Sequence, residues 1–110
     1  MRILILDDNV LRAMDLEFLI QDAFTAEVVV ADHIEGARAE EPFDVAVLGR
    51  WAGSCCTFDF ARELRSAGTT IAYISAGTRD RIPADLNRHF IGAPCTPDEI
   101  VGIVRRMLTE

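Results

Sequence analysis

The chain has 110 residues, of which 50% are apolar and 26% charged, a balance that excludes a disordered or fibrous protein and suits one domain with a buried core. The net charge of −7 excludes nucleic-acid phosphate as a partner, since that binding needs a basic surface. No apolar run approaches the length of a membrane span, and the amino-terminal strand soon turns acidic, so we expect a cytoplasmic protein that does not bind membranes.

The chain opens with a strand and a helix. Residues 3–6 form a continuous apolar run that ends at an acidic pair, as in a strand buried on both faces of a parallel sheet. Residues 10–24 follow helical spacing, and Asn9 is available as the cap. The apolar face of this helix is predicted to consist of Leu11, Met14 and Phe18, with Leu19 and Ala23 beside them.

The middle of the chain repeats this alternation. Further strands are predicted at the short apolar runs 28–31, 45–48 and 70–75. Helices are predicted between them, at 34–39 and 57–67. The intervening residues 49–56 contain Gly49 and Gly53 and are predicted to form a loop.

The last part of the chain ends in a helix. Residues 76–89 are polar and contain Pro83, so only a short or irregular helix fits before a fifth strand at 90–92. Thr96 is a suitable cap, and Pro97 suits the first helical position. The apolar face of this closing helix consists of Ile100, Val101, Ile103, Val104, Met107 and Leu108.

Five apolar strands alternating with helices indicate an α/β domain with a doubly wound parallel sheet and helices on both faces. In such sheets functional groups collect at the carboxyl ends of the strands. We therefore expect one cluster at that edge, made of Asp7, Asp8, Gly49, Ser75 and residues 92–95.

The order of these residues resembles the receiver domain of bacterial two-component response regulators, over essentially the whole chain. ILILDDN places Asp7 and Asp8 where the family has its magnesium-binding acidic pair, and IAYISAG places Ser75 where a Ser or Thr ends the fourth strand. FIGAPCTPDEI places Phe90 at the switch aromatic and Pro94 at the proline of a Lys-Pro pair. The resemblance implies a flavodoxin-like five-stranded sheet of order 2-1-3-4-5, in a single stand-alone domain of residues 1–110 with no output domain.

Two departures remove the family's phosphoryl chemistry. FDVAVLGR has Gly49 where the family has the phosphoacceptor Asp, and Ala93 replaces the lysine. Receiver phosphorylation needs a carboxylate nucleophile, a metal and a nearby cation. All eleven basic residues are arginine, so no lysine can compensate. The resemblance thus implies a degenerate pocket consisting of Asp7, Asp8, Gly49, Arg50, Ser75, Ala93 and Pro94, with Phe90 held in one position.

The acidic pair is predicted to be neutralised by an arginine. One family magnesium ligand is missing, so we expect no metal or other cofactor, although a weak magnesium site at Asp7 and Asp8 stays open. Two adjacent carboxylates repel each other and attract a cation. We hypothesise that Arg50, or failing that Arg79, supplies it and holds the domain in one conformation.

The loop after the third strand adds one aromatic residue and two of the three cysteines. Trp51 is predicted either to fold back as a lid or to face a partner. Cys55, Cys56 and Cys95 fall on the same edge of the sheet, where reduced structural thiols are the preferred interpretation and a redox role is the alternative. His33 and His89 are isolated and are predicted to be surface or helix-end residues.

These features favour a phosphorylation-independent module, not an enzyme, that binds a protein in a bacterial signalling pathway. The expected partner is a histidine kinase, a phosphotransfer protein or another regulator, and a second copy of the chain is also considered. Besides Trp51, the expected partner-binding residues form a basic face made of Arg79, Arg81, Arg88, Arg105 and Arg106.

Two alternatives stay open. The first is a small-molecule or redox sensor that uses the vacated pocket, with Arg50, Ser75, Cys55, Cys56 and Cys95. The second is a phosphoacceptor that uses a substitute carboxylate, Asp44 or Asp59. It is the least favoured, because Asp44 precedes the third strand and Asp59 falls inside a predicted helix.

Overall fold

A central parallel sheet organises residues 1–110, all of which the computed structural model describes. Its strands are β1 (Arg2–Leu6), β2 (Glu27–Ala31), β3 (Val45–Gly49), β6 (Thr70–Ser75) and β7 (His89–Gly92). Two short strands, β4 (Trp51–Ala52) and β5 (Cys55–Cys56), form a separate hairpin. The sheet order β2-β1-β3-β6-β7 is entirely parallel and confirms the flavodoxin-like order predicted from the sequence.

The first and last of the four helices begin at the caps that the sequence predicts. They are α1 (Val10–Ala23), α2 (Ile34–Arg38), α3 (Phe58–Ser66) and α4 (Pro97–Leu108), with a 3₁₀ turn at Arg79–Arg81. The Asn9 side chain accepts a hydrogen bond from the Arg12 amide, and the Thr96 hydroxyl accepts one from the Glu99 amide. The 3₁₀ turn confirms that only a short helical segment fits between β6 and β7. No helix is long and apolar enough to cross a bilayer.

The strands alternate their side chains between two hydrophobic clusters, one on each face of the sheet. Ile3 and Ile5 belong to the cluster covered by α1 and α4, whereas Leu4 and Leu6 belong to the cluster covered by α2 and α3. All four are fully buried. Burial on both faces explains why β1 is apolar at every position from Ile3 to Leu6 instead of alternating with polar residues.

The rotation of α1 differs from the sequence prediction. Leu11, Met14 and Phe18 were expected to face the core, but they are 75%, 59% and 70% exposed. The buried positions are Ala13, Leu16 and Ile20.

The stripe that contains Arg12 explains this rotation. Arg12, Leu16 and Ile20 are four residues apart and therefore lie along one side of the helix. Because Arg12 contacts Asp7 at the end of β1, the same side turns Leu16 and Ile20 toward the sheet. Apolar periodicity alone could not select this side, since both sides of α1 satisfy it.

The predicted loop at 49–56 contains a hairpin. Trp51 pairs with Cys56 and Ala52 with Cys55 in an antiparallel register. Gly53 begins the two-residue turn with φ of 66°, a conformation that glycine adopts without a Cβ penalty. The Gly-Ser pair between two short apolar segments was the sequence signal for this turn.

Candidate functional site at the carboxyl edge of the sheet

Three parallel strands bring the predicted pocket residues to one edge. Asp7 follows β1, Gly49 ends β3 and Ser75 ends β6. Neighbouring strands finish at nearly the same level, because Leu6 is in register with Leu48 and Gly49 with Ile74. This arrangement follows from parallel pairing, which places all strand carboxyl ends on one side.

Asp7 is buried and saturated by partners. Only 2% of the residue is exposed. Its Oδ2 accepts from Arg12 Nε at 2.5 Å, and its Oδ1 accepts from Arg12 Nη2 and from the Asn9 amide, both at 3.0 Å. A buried carboxylate is tolerated only when it is paired and hydrogen-bonded in this way. Arg12 therefore occupies both oxygens of the carboxylate.

The neutralising cation was assigned to the wrong residue from the sequence. An arginine does contact Asp7 of the acidic pair, but it is Arg12 and not Arg50 or Arg79. Arg79 instead donates to the backbone carbonyls of Asn87 and Arg88. The missed signal was the position of Arg12 in the first turn of α1, from which a long side chain reaches back to Asp7, two residues before the cap.

Gly49 leaves no room for a side chain beside this ion pair. A Cβ built on Gly49 would lie 2.8 Å from Asp7 Oδ1, closer than such atoms approach in proteins. A side chain at position 49 therefore requires Asp7 to move, and Arg12 holds Asp7 in place. The packing of this edge therefore leaves no space for an acceptor carboxylate at position 49.

A buried hydroxyl network anchors the Gly49 backbone, and the sequence did not reveal it. The Thr57 hydroxyl donates to the Gly49 carbonyl at 2.7 Å and lies 3.0 Å from the Tyr73 hydroxyl. Burial raises the pKa of Tyr73, so its hydroxyl stays protonated and serves as a hydrogen-bonding group. The network ties the end of β3 to β6 and to the start of α3.

The remaining positions of the predicted pocket make structural contacts at this edge of the sheet. The Ser75 hydroxyl accepts from the Gly77 amide at 3.0 Å, and the Ser75 carbonyl accepts from the Ala93 amide at 2.9 Å. Ala93 packs against the cluster under α1 and α4, and the bond from Ala93 to Pro94 is cis. Phe90 is half-buried against the opposite cluster.

Solved structures match this architecture over nearly the whole chain. The HemR receiver domain from Leptospira biflexa is 24% identical with a TM-score of 0.79, and the two chains are covered to 99% and 94%. The response regulatory domain of mrkE from Klebsiella pneumoniae is 20% identical with a TM-score of 0.83 and coverages of 99% and 96%. This chain has the receiver-domain fold. A two-component response regulator from Clostridium difficile matches equally well, with 16% identity, a TM-score of 0.83 and coverages of 99% and 96%.

Comparisons of sequence alone find no relative of this chain. No protein-family model matches the chain. No curated protein matches it either. The receiver fold is therefore visible in the tertiary structure and in a few positional matches, not in overall sequence similarity.

The side chains at this edge of the receiver fold do not fit a magnesium ion. Mg²⁺ takes near-octahedral oxygen ligands. Arg12 occupies the oxygens of Asp7, Gly49 offers no carboxylate, and Asp8 is exposed. No group of three or more His, Cys, Asp or Glu side chains is arranged to hold a metal. We therefore assign no metal-dependent step to these residues.

Arg50 and Trp51 follow β3 and pack against each other at this edge of the sheet. The Arg50 guanidinium lies 5.4 Å from the Trp51 ring centroid and 5.8 Å from that of Phe58, within the range of cation–π contact. Arg50 Nε is buried and has no hydrogen-bond partner. Trp51 is 46% exposed, so one part of the ring packs on Arg50 and the rest faces solvent.

The cysteines do not form one cluster. Cys55 and Cys56 lie in the hairpin, whereas Cys95 packs against the cluster under α1 and α4. All three are free thiols. Burial raises the pKa of Cys95, which lowers its thiolate fraction and its reactivity.

Each histidine is paired with a carboxylate, and neither substitute carboxylate lines the cavity beside Ser75. His33 pairs with Asp32 at 2.8 Å, and His89 pairs with Glu110 at 2.6 Å. Asp44 accepts from the Arg2 amide at the amino end of β3, and Asp59 is exposed in the first turn of α3.

The predicted basic face is divided among several structural roles. Arg79 donates hydrogen bonds to backbone carbonyls. Arg88 pairs with Glu110 at 3.4 Å, and Arg81 lines the cavity beside Ser75. Arg105 lies over the Phe24 ring at 5.6 Å, next to the end of α1. Arg106 is exposed.

A second surface lies on α1, and three of its four residues are ones that the sequence predicts to be buried. Val10, Leu11, Met14 and Phe18 form an exposed apolar stripe, which we call the α1 ridge. Leu11 and Phe18 border a cavity of about 590 Å³ on the α4 side, and Val10 and Met14 border one of about 440 Å³ on the β2 side. The ridge therefore stands between two grooves.

Proposed function

We propose that this chain is a receiver-like signalling module, acting in the cytoplasm of a bacterium, that binds a partner protein and neither accepts a phosphoryl group nor catalyses a reaction. The observation that carries the proposal is the 2.8 Å approach between Asp7 Oδ1 and the Cβ position of Gly49. With Arg12 on Asp7, neither an acceptor carboxylate nor a magnesium ion has a place at this edge.

Intact-mass measurement after incubation with acetyl phosphate and Mg²⁺ tests the loss of phosphoryl transfer. We expect no mass gain, while a receiver that accepts phosphate gains one phosphoryl group in parallel. A gain in this chain would overturn the proposal. Asp44→Asn and Asp59→Asn variants would then show whether a substitute carboxylate is responsible.

The α1 ridge supports protein binding as the output. Contiguous exposed apolar side chains are rare on monomeric proteins and mark interaction sites. Leu11, Met14 and Phe18 follow the three-to-four spacing with which a helix meets a partner surface. Ridges of this kind pack into the grooves of a facing helix, and the cavities beside the ridge can receive the partner's side chains.

Charge around the ridge indicates the chemistry of the partner. Asp15 lies within one helical turn of Leu11 and Phe18, Asp22 lies one turn beyond Phe18, and both are exposed. A partner surface with an apolar centre and a basic rim complements this arrangement. A second copy would bring the same acidic rim against itself in a two-fold interface, so the ridge favours a different protein, such as a histidine kinase, phosphotransfer protein or other regulator.

A pair of variants distinguishes the ridge from the basic face. The wild-type chain is first used to capture partner proteins from its native lysate, and these are identified and purified. Their affinity is then measured for two double variants, Leu11→Ser/Phe18→Ser in the ridge and Arg88→Ser/Arg106→Ser in the basic face. We expect the ridge variant to lose about 30-fold or more in affinity, as for a binding hot spot, and the arginine variant to bind nearly as wild type. The reverse result would assign the partner to the basic face.

Sedimentation of the purified chain addresses self-association. We expect a monomer at micromolar concentration, because two copies of net charge −7 repel each other. A dimer that the ridge variant dissociates would show that a second copy covers the ridge.

A further inference from the structure

The vacated edge encloses a small cavity rich in arginine. It has a volume of about 190 Å³ and lies at the carboxyl ends of β1, β3 and β6. We call it the arginine pocket and define it by Arg12, Arg50, Arg81, Ser75, Trp51 and Asp8, which line it. Three arginines therefore line a cavity where the sequence predicts only a degenerate phosphorylation site.

The local charge of the arginine pocket is positive although the chain is acidic. Arg12 is matched by the buried carboxylate of Asp7. This leaves Arg50 and Arg81 against the single carboxylate of Asp8, a local excess of one positive charge in a chain of net charge −7. An anion entering the cavity meets Arg50 and Arg81, neither of which forms an ion pair with a carboxylate of the chain.

The side chains that line the pocket include hydrogen-bond donors with no acceptor in the protein. Arg50 Nε is buried and unpartnered, and the guanidinium is held by the rings of Trp51 and Phe58. The Arg81 side chain makes no hydrogen bond or ion pair in the chain. The Ser75 hydroxyl accepts from the Gly77 amide, so its own hydrogen remains available to donate.

We propose that the arginine pocket reversibly binds a tetrahedral oxyanion, either inorganic phosphate or the phosphate of a small phosphomonoester, through Arg50, Arg81 and Ser75. Guanidinium groups match phosphate oxygens in geometry and charge, and planar arginine donors suit such ligands better than lysine does. No carboxylate is present at position 49 to attack the phosphorus, so the anion binds without bond formation. The site extends beyond the protein-binding function and does not require it.

Trp51 makes the binding directly measurable. It is the only tryptophan of the chain, lines the pocket and contacts Arg50. Titration with sodium phosphate at constant ionic strength, balanced with sodium chloride, is expected to change its fluorescence saturably. The temperature of unfolding should rise in the same titration, since the anion binds only the folded chain.

Variants separate a specific site from general charge screening. Arg81→Gln and Arg50→Gln are each expected to weaken phosphate binding by about 10- to 100-fold, the loss of a charge-assisted hydrogen bond. Arg81 is exposed and unpartnered, so its variant should unfold as wild type does. Arg106→Gln removes another exposed arginine, outside the pocket, and serves as the control.

A second ligand distinguishes the two sources of the oxyanion. Tighter binding of glycerol 3-phosphate than of inorganic phosphate would identify a phosphomonoester site, and the reverse order a phosphate site. A response equal to that of chloride, or unchanged affinity in both Arg50→Gln and Arg81→Gln, would overturn the proposal. Intact mass measured with phosphate alone stays constant in every case, so this outcome is independent of the acetyl phosphate test.

Discussion

Helices α1 and α4 cover the same face of the sheet but differ in what they expose. Ala13, Leu16 and Ile20 of α1 enter the same cluster as Ile100, Val104 and Met107 of α4. On its outer side α4 carries charged residues, whereas α1 carries the apolar ridge. Helical spacing therefore predicts a helix in both places but locates the buried side only in α4, where one side alone is apolar.

The largest expected effect comes from the buried side of each helix. Leu16→Ala in α1 and Met107→Ala in α4 should each lower the free energy of unfolding by about 2–5 kcal/mol, because both side chains are buried in one cluster. Urea denaturation measures the loss. Leu11→Ala is the matched control on the exposed side, and equal losses for Leu11→Ala and Leu16→Ala would contradict the observed rotation of α1.

The ion pair that sets this rotation has the next largest effect. Arg12→Leu leaves the buried Asp7 carboxylate without its cation and should cost about 2–3 kcal/mol, less than for a fully buried pair because Arg12 is 25% exposed. A double-mutant cycle with Asp7→Asn, measured by urea denaturation, should show a coupling energy of about 1–3 kcal/mol. Additive losses would mean that the two side chains do not depend on each other.

The cation–π contact between α4 and the end of α1 should contribute less to stability than the Arg12–Asp7 ion pair. Arg105 of α4 lies over Phe24 at the end of α1, and an exposed cation–π contact contributes about 0.5–1 kcal/mol. Thermal unfolding of Arg105→Gln should show a loss of this size, while Arg106→Gln should unfold as wild type. A larger loss in Arg106→Gln would place the contact elsewhere on α4.

The ridge should contribute almost nothing to folding. Leu11→Ser/Phe18→Ser removes only exposed apolar area, so the free energy of unfolding should change by less than about 0.5 kcal/mol per site. Near-native stability together with lost partner binding would separate the two sides of α1 by function. A cooperative loss of stability would show that the ridge belongs to the core.

The groove between the helices can be probed chemically. Burial raises the pKa of Cys95, so at pH 8 a smaller fraction of this thiol is thiolate than in an unperturbed cysteine. The rate of its alkylation should therefore continue to rise above pH 8.5, about the usual pKa of a thiol. Peptide mass mapping should therefore find Cys55, which is exposed, modified by iodoacetamide before Cys95. Equal rates would indicate that the groove opens.

Much of the fold was predictable from local signals. Continuous apolar runs predicted four of the five sheet strands, and in β1 and β3 they reflect burial on both faces, which leaves no exposed positions for polar residues. Asn9, Thr96 and Pro97 marked where α1 and α4 begin, since capping is decided by residues next to one another in sequence. The hairpin at Trp51–Ala52 and Cys55–Cys56 was missed because each strand has only two residues.

The sequence predicted that Asp7, Gly49 and Ser75 share one edge of the sheet, but it missed Arg12, Thr57 and the contacts between side chains. The sequence by itself determined that position 49 has no carboxylate and that no lysine exists, since both are matters of composition. Only the tertiary structure decided that Arg12 holds Asp7, that Thr57 and Tyr73 anchor Gly49, and that Arg50 and Arg81 share a cavity. These contacts depend on how α1 is rotated and how the strand ends are aligned, and local sequence patterns do not specify those distances.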